Sequence, residues 1–366
     1  MRKNLMIRGL KKIDFTVLCV DSGQKTYYDT VSGRSLPYSS GQQIKKSIMN
    51  NIYDSSEYFP SPLIFWHNAE GAKLTQGEVI PKCDPRYIDQ LLAGYMAAAA
   101  KTDGEQEAVL KSKAHFAVSA MTPFHSKLAG LVEEKVIINK IDNPVYKLRK
   151  VEKKGDNVEL SESEIIEFLN ANNQRFSSIK LIPLKSGDRA HNRANGIFKY
   201  DVDIDLERLF RVSVSLGSNE INSKIEGELK AAGWKEVTIK NITYLEMPKE
   251  FHDEYAGLIA HAVFNWKITS NNSRTYDNMA TFAAAICTDA KEVQICMQYE
   301  PSIDDDNKLE KGIALDGGGN GTKIFLEKFA LEYLNISFNP DEVTPKNRAI
   351  TDAEQYVKEA ILEYYK

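Results

Sequence analysis

The sequence is poor in the residue patterns that mark most catalytic and metal-binding chains. Its four cysteines, Cys19, Cys83, Cys287 and Cys296, are scattered without a CxxC spacing. This excludes a zinc ribbon or a disulfide framework and fits reduced, buried thiols. Six histidines at 67, 115, 125, 191, 252 and 261 show no HxH or HExxH spacing, so a His-based metal site is not expected. There is no GxSxG elbow. GGGNGTK (317–323) is not a Walker A loop, because Thr322 precedes Lys323 instead of following it. No stretch approaches the ~20 apolar residues of a membrane span, and the run Phe15–Val20 is too short for a signal-peptide core. A cytoplasmic protein with no membrane partner, no catalytic residues, no metal and no cofactor is the expectation.

An excess of positive charge is also missing. The 366 residues carry a net charge of −4, so nucleic-acid binding cannot be argued from bulk charge and must come from local patches. An apolar fraction of 42% and a charged fraction of 27% are those of a globular chain, long enough for one elaborated domain or two moderate ones.

What is present begins with SLPYSSGQQIKKSI (35–48). Pro37 holds Leu36 extended. Ser40 is a good N-cap with Gln43 at capping-box spacing. Ile44, Ile48 and Ile52 form a stripe for burial over a helix at 40–53. Most helix starts recruit Asp or Glu to the positive end of the macrodipole. This one has Ser39, Ser40, Gly41, Gln42 and Gln43, then Lys45 and Lys46. Free amides, hydroxyls and lysines make a site for an external anion, typically a phosphate; an ordinary capped helix with solvated lysines is the plainer alternative.

Two further segments have this flavour. SGDRAHNRANGIFKY (186–200) holds Arg189, His191, Arg193 and Lys199, with Phe198 and Tyr200 at its end, and NNSRTYDN (271–278) holds Ser273, Arg274 and Thr275 with Tyr276 alongside. Cations beside aromatics suit a single-stranded nucleic acid, and a solvated loop is the alternative for each. Residues 135–154 are the most basic stretch, with seven Lys or Arg against two acids. DVDID (201–205) places Asp201, Asp203 and Asp205 on one face of a strand, where a wet face is favoured over a magnesium site.

A strand is expected over 5–20, an Ala-rich helix near 85–101, a strand over 113–120, and a capped helix at about 161–172. Further expectations are strand-like runs in 198–216, a helix at 219–232, strands near 281–287 and 292–299, and a helix at 323–334. A terminal helix opens at Thr351 with Glu354 completing its box. Strands and helices in mixed order with long insertions indicate α+β.

Taken together, LPYSSGQQIKKSI after a first strand, FAVSAMTPFH (116–125), GIFKYDVDIDLERL and NNSRTYDNMATFAAAI resemble the DevR-like CRISPR-associated backbone family, the Cas seven subunits of type I Cascade surveillance complexes. The likeness covers roughly 5–53, 113–130, 180–216 and 265–300. It implies an RRM-like (ferredoxin-like) palm over 1–53 and 113–335 with a thumb hairpin, a helical fingers insertion at 54–112, and a C-terminal helix at 336–366. It also implies a non-catalytic subunit that stacks with other copies of itself along CRISPR guide RNA. Such a subunit binds the RNA backbone independently of sequence and presents it to a target DNA strand beside other Cascade subunits. On this resemblance Ser39, Ser40, Gln42, Gln43 and Lys46 contact guide phosphates, and Arg8, Arg189, Arg193, Ser273, Arg274 and Thr275 are further RNA contacts. Two other readings stay open: a related subunit that cleaves RNA with Asp21 or Asp29 in the loop after the first strand, and an unrelated RNA- or phospho-ligand-binding α+β protein.

Overall fold

The first strand, β1 (Asn4–Thr16), alternates in register with the two sides of a sheet. Leu5, Ile7 and Ile13 point to one face and Leu10 to the other, all nearly inaccessible to solvent. A computed structural model of the chain describes residues 4–20, 23–70, 73–97, 110–134, 149–153, 156–171, 191–269, 276–303, 309–316, 321–332 and 334–366.

β1 is the centre of a seven-stranded sheet. The other strands are β2 (Phe116–Val118), β3 (Thr122–Pro123), β4 (Ala129–Glu134), β5 (His191–Asp205), β6 (Thr281–Cys287) and β7 (Lys323–Leu326). The order is β4–β5–β1–β6–β7, with β2 and β3 also paired to β5. β1 runs antiparallel to both neighbours. Helix α1 (Gly41–Asp54) links β1 to the β2–β4 edge, and α2 (His252–Asn265) links β5 to β6 on the opposite side of β1. The chain therefore follows a β–α–β–β–α–β path around β1, and the α+β expectation holds.

On one face α1, α2 and a third helix, α3 (Ala349–Tyr364), pack over Ile7, Ile13, Phe198, Tyr200, Val202, Ile204, Ala284 and Ile286. The stripe Ile44, Ile48 and Ile52 is the buried side of α1, as its spacing required. Val293, Cys296, Met297, Ile313 and Leu315, with Ala330 and Val343, cover part of the other face against Leu10, Ala283 and Ala285. The terminal helix is thus part of the core layer and not a separate segment.

The chain divides into two compact units, 1–131 with 194–366, and 132–193. The described part of the smaller unit holds a hairpin, Arg149–Lys153 with Asp156–Glu159, and a helix, Glu162–Ala171. Glu164 closes that helix's capping box by accepting from the Ser161 amide at 2.7 Å and its hydroxyl at 2.6 Å.

Several expectations are corrected. The described residues of 54–112 are mostly strand: a hairpin of Leu63–Glu70 with Lys73–Pro81, and another of Tyr95–Ala97 with Leu110–Ser112. Their one helix, Ile88–Ala93, is shorter than the Ala-rich helix expected near 85–101 and stops before Gly94. The helix expected at 323–334 is β7, paired with β6 in the sheet, followed by a 3-10 turn (Lys328–Glu332); Leu326 of β7 is buried among the residues that cover the sheet's second face. The strand expected at 292–299 is the short helix Ala290–Ile295 and then the strand Met297–Ile303.

α3 starts two residues before Thr351. Its cap comes from elsewhere in the chain: Glu327 accepts from the Arg348 amide at 3.0 Å and the Ile350 amide at 2.9 Å. Glu354 instead joins α3 to α2, meeting His261 Nδ1 at 3.0 Å and accepting from Asn265 Nδ2 at 2.7 Å. The Glu354 carboxylate raises the His261 pKa above its ordinary 6.5, against the opposing effect of burial. A raised folded-state pKa stabilises the protein below about 6.5, and that stabilisation is lost as pH climbs through the folded value. Thermal melts across this range should show a downward slope that Glu354→Gln removes.

Candidate nucleic-acid interface

Near the C-terminal end of β1, Val20, Gln43 of α1 and Lys267 and Thr269 line one cleft, and the Asp14 amide donates to Asp277. Ser40 caps α1 in an extended conformation, its side chain accepting from the Gln43 amide at 3.4 Å. The first turn of α1 holds no acid. Gly41 lies against backbone: a Cβ there would sit 2.6 Å from the Val118 oxygen. This close approach ties the helix start to the end of β2.

Lys46 and Gln42 are exposed, and neither forms an ion pair or side-chain hydrogen bond among the described residues. Lys45 differs. It is half-buried, its ammonium donates to the Ala93 carbonyl at 3.1 Å, and burial pushes its pKa down. Of the two adjacent lysines, one is therefore structural and one is free to meet an anion. Ser39 is fully buried, its backbone bridged to Met121 and its hydroxyl without a partner among the described residues, so it does not face an external phosphate as expected.

Along α1, from its start to its end, lies a cleft of about 310 Å³ lined by Val20, by Gln43, Ser47, Asn50, Asn51, Tyr53 and Asp54 of the helix, and by Lys267 and Thr269. Gln43 is the one expected contact that lines it. Lys267 and Thr269 escaped sequence reasoning: the stretch after Trp266 has no motif, and only the fold brings it beside α1.

Arg8 is corrected. It is 5% exposed, and its guanidinium is engaged by Asp201 at 2.7 and 2.9 Å across the β1–β5 pair. A bidentate carboxylate of this kind leaves little for an RNA phosphate. Asp203 accepts from Asn4 at 2.8 Å and Asp205 from the Glu207 amide at 3.1 Å. The three aspartates thus share a strand face as expected, and each is occupied by a donor. Among the described residues no cluster of three or more His, Cys, Asp or Glu could hold a metal ion.

Arg193 is half-buried near the start of β5 and already has an interaction partner. Arg189, Ser273, Arg274, Thr275 and Asp21 lie outside the described residues, as do most of the basic stretch 135–154 and Gly317 to Asn320 of the glycine loop. Asp29 is described. It sits in the turn of a small hairpin (Thr26–Asp29 with Arg34–Pro37), where its carboxylate accepts from the Ser32 hydroxyl at 2.5 Å and the Ser32 amide at 3.1 Å. The Ser32 hydroxyl bond is the main reason its pKa falls below the usual carboxylate value. His125 is stacked on Tyr299 at 3.8 Å, and its Nδ1 accepts from the Lys127 amide, as a turn residue would.

No protein-family model and no curated protein sequence matches the chain. Among solved structures, similarity is found to a chain of a structure described as a CRISPR RNA-guided surveillance complex, pre-nicking. The identity is 8% and the TM-score 0.46, over 99% of this chain and 100% of that one. A chain of a second CRISPR RNA-guided surveillance complex is 8% identical with a TM-score of 0.39, over 98% of this chain and 99% of the other. Among the described residues no helix is long and apolar enough to cross a membrane.

Proposed function

We propose that the protein is a non-catalytic, guide-RNA-binding backbone subunit of a type I CRISPR surveillance complex. The observation that carries this reading is the start of α1: an acid-free helix N-terminus with exposed Gln42 and Lys46, and Gln43 lining a cleft together with Lys267. Exposed amides, amide side chains and ammonium groups bind phosphates without reading bases. A subunit that must accept any guide needs this kind of binding.

The β–α–β–β–α–β path around β1 supports a ferredoxin-like palm. In this reading the thumb falls within the unit 132–193 and the hairpins within 54–112 are the fingers. Copies of the subunit stack along the guide in the cytoplasm, present it to a target DNA strand, and join other subunits of the complex. The occupation of Asp29 by its own turn favours a binding role over guide-dependent RNA cleavage.

The test is to express the protein with its CRISPR array and neighbouring genes, isolate it by size exclusion, and extract any nucleic acid. A large assembly holding one discrete RNA that hybridises to the repeat is expected. A nucleic-acid-free monomer would overturn the reading. Within such assemblies Lys46→Glu should lower RNA affinity about tenfold and flatten its dependence on salt, since one fewer counterion is released. Its melting temperature should stay unchanged, because Lys46 is exposed.

A further inference from the structure

The C-terminal end of β1 is built in an unusual way. Ile13 pairs with Gly196 and Thr16 with Ala194, so Asp14 and Phe15 oppose a single residue of β5 in a bulge. Phe15 adopts a left-handed conformation, φ 49°, and its ring is 57% exposed. A phenylalanine gains nothing for the fold in this state: the conformation is strained and the apolar ring faces water.

The same corner carries a second exposed ring. The Asp14 amide donates to Asp277 Oδ2 at 2.8 Å, which places Phe15 and Tyr276 each one residue from a shared hydrogen bond. Tyr276 is 66% exposed, and the Lys267 ammonium lies 5.2 Å from its ring centroid. Lys267 also lines the cleft beside α1. The other carboxylate oxygen of Asp277 accepts from the Met279 amide at 3.0 Å, and Asp14 is paired with Lys12 at 3.0 Å. Both acids are therefore engaged, and the rings and Lys267 remain as the groups presented outward.

We propose that Phe15 and Tyr276 form a stacking platform for unpaired bases of the bound RNA at the mouth of the Lys267 cleft. The proposal rests on the RNA-binding reading above and assigns the base-facing part of that site. Every base has a π-face, so stacking is compatible with binding independent of sequence. A bulge that turns out an aromatic ring at the cost of backbone strain is explained by a ligand that covers the ring.

Two probes separate this idea from phosphate binding alone: a short single-stranded oligoadenylate and an abasic ribose–phosphate strand of equal length. The intact protein should bind oligoadenylate about tenfold or more tightly than the abasic strand, the scale of one base–aromatic stack. Phe15→Gly and Tyr276→Ala should each lose most of that preference while holding the abasic strand as before, and Tyr276→Phe should retain it. Phe15→Gly should also keep or raise the melting temperature, since glycine relieves the left-handed strain. A purely structural role for Phe15 predicts the reverse pair of results. Equal affinity of the intact protein for both probes would overturn the platform and leave phosphate binding standing. Binding of neither would overturn the RNA-binding reading together with it.

Discussion

Replacing Lys11 by methionine is expected to destabilise the fold by about 2–4 kcal/mol, the scale of leaving buried acceptors unpaired. Lys11 of β1 is fully buried. Its ammonium donates to the carbonyls of Phe264 at 3.0 Å, Trp266 at 3.1 Å and Met279 at 2.6 Å, and lies 4.6 Å from the Trp266 ring centroid. The Phe264 and Trp266 carbonyls close α2, where orphan acceptors and the negative end of the dipole favour a cation. The Met279 carbonyl belongs to the chain returning into β6. One side chain therefore fixes both ends of the segment that carries Lys267 and Tyr276. Methionine fills the volume but leaves the Trp266 and Met279 carbonyls without this donor; Phe264 keeps the Thr281 hydroxyl at 2.6 Å.

The same residue gives a pH signature. Burial lowers the Lys11 pKa from 10.5 to about 7, with Asp277 pulling the other way. The folded state then holds fewer protons than the unfolded chain between about 7 and 10.5, so stability rises with pH across that window. Chemical denaturation at several pH values should show this rise in the natural protein and its loss in Lys11→Met. A methionine variant as stable as the natural protein at neutral pH would mean that the carbonyls find water or other donors.

Lys11 and Arg8 show where reading the sequence stops. Both stand in the first strand; the family resemblance implies an RNA contact for Arg8, Lys11 carries no local signal, and only the fold supplies their partners. Asp201 is 193 positions from Arg8, and the carbonyls that hold Lys11 are at least 253 positions away. Local pattern was informative where the cause was local: Ile44, Ile48 and Ile52 with the Ser40 cap predict α1 to within a residue, and Val202 and Ile204 against three aspartates predict the two faces of β5. It failed where a distant group replaced a local one. Thr351 and Glu354 spell a capping box, yet Glu327 caps α3 from across the molecule and Glu354 serves α2. Phe15 opens an apolar run within the expected strand, and the bulge turns it outward. At the candidate interface, Lys45 and Lys46 are indistinguishable in sequence; the nearness of the Ala93 carbonyl makes one structural and leaves the other exposed.

Gly41→Ala should be costly for both stability and RNA binding, although alanine is the better helix former. The added Cβ would lie 2.6 Å from the Val118 oxygen and 3.1 Å from the Ser119 carbonyl carbon, and both are backbone atoms that cannot rotate aside. The start of α1 has to move away from the sheet, at a cost of about 1–3 kcal/mol for an overpacked contact. The movement carries Ser40, Gln42 and Lys46 with it, so RNA affinity should fall even though none of these side chains has changed. Gly227 provides the control. It lies inside the helix Ser223–Ala231, where a Cβ would meet nothing within 4 Å. Gly227→Ala should therefore stabilise the protein by about 0.5–1 kcal/mol and leave RNA binding untouched. Equal melting temperatures for the two alanine variants would mean that α1 is not held against β2. A destabilised Gly41→Ala that still binds RNA at full affinity would show that the phosphates are held elsewhere than at the start of α1.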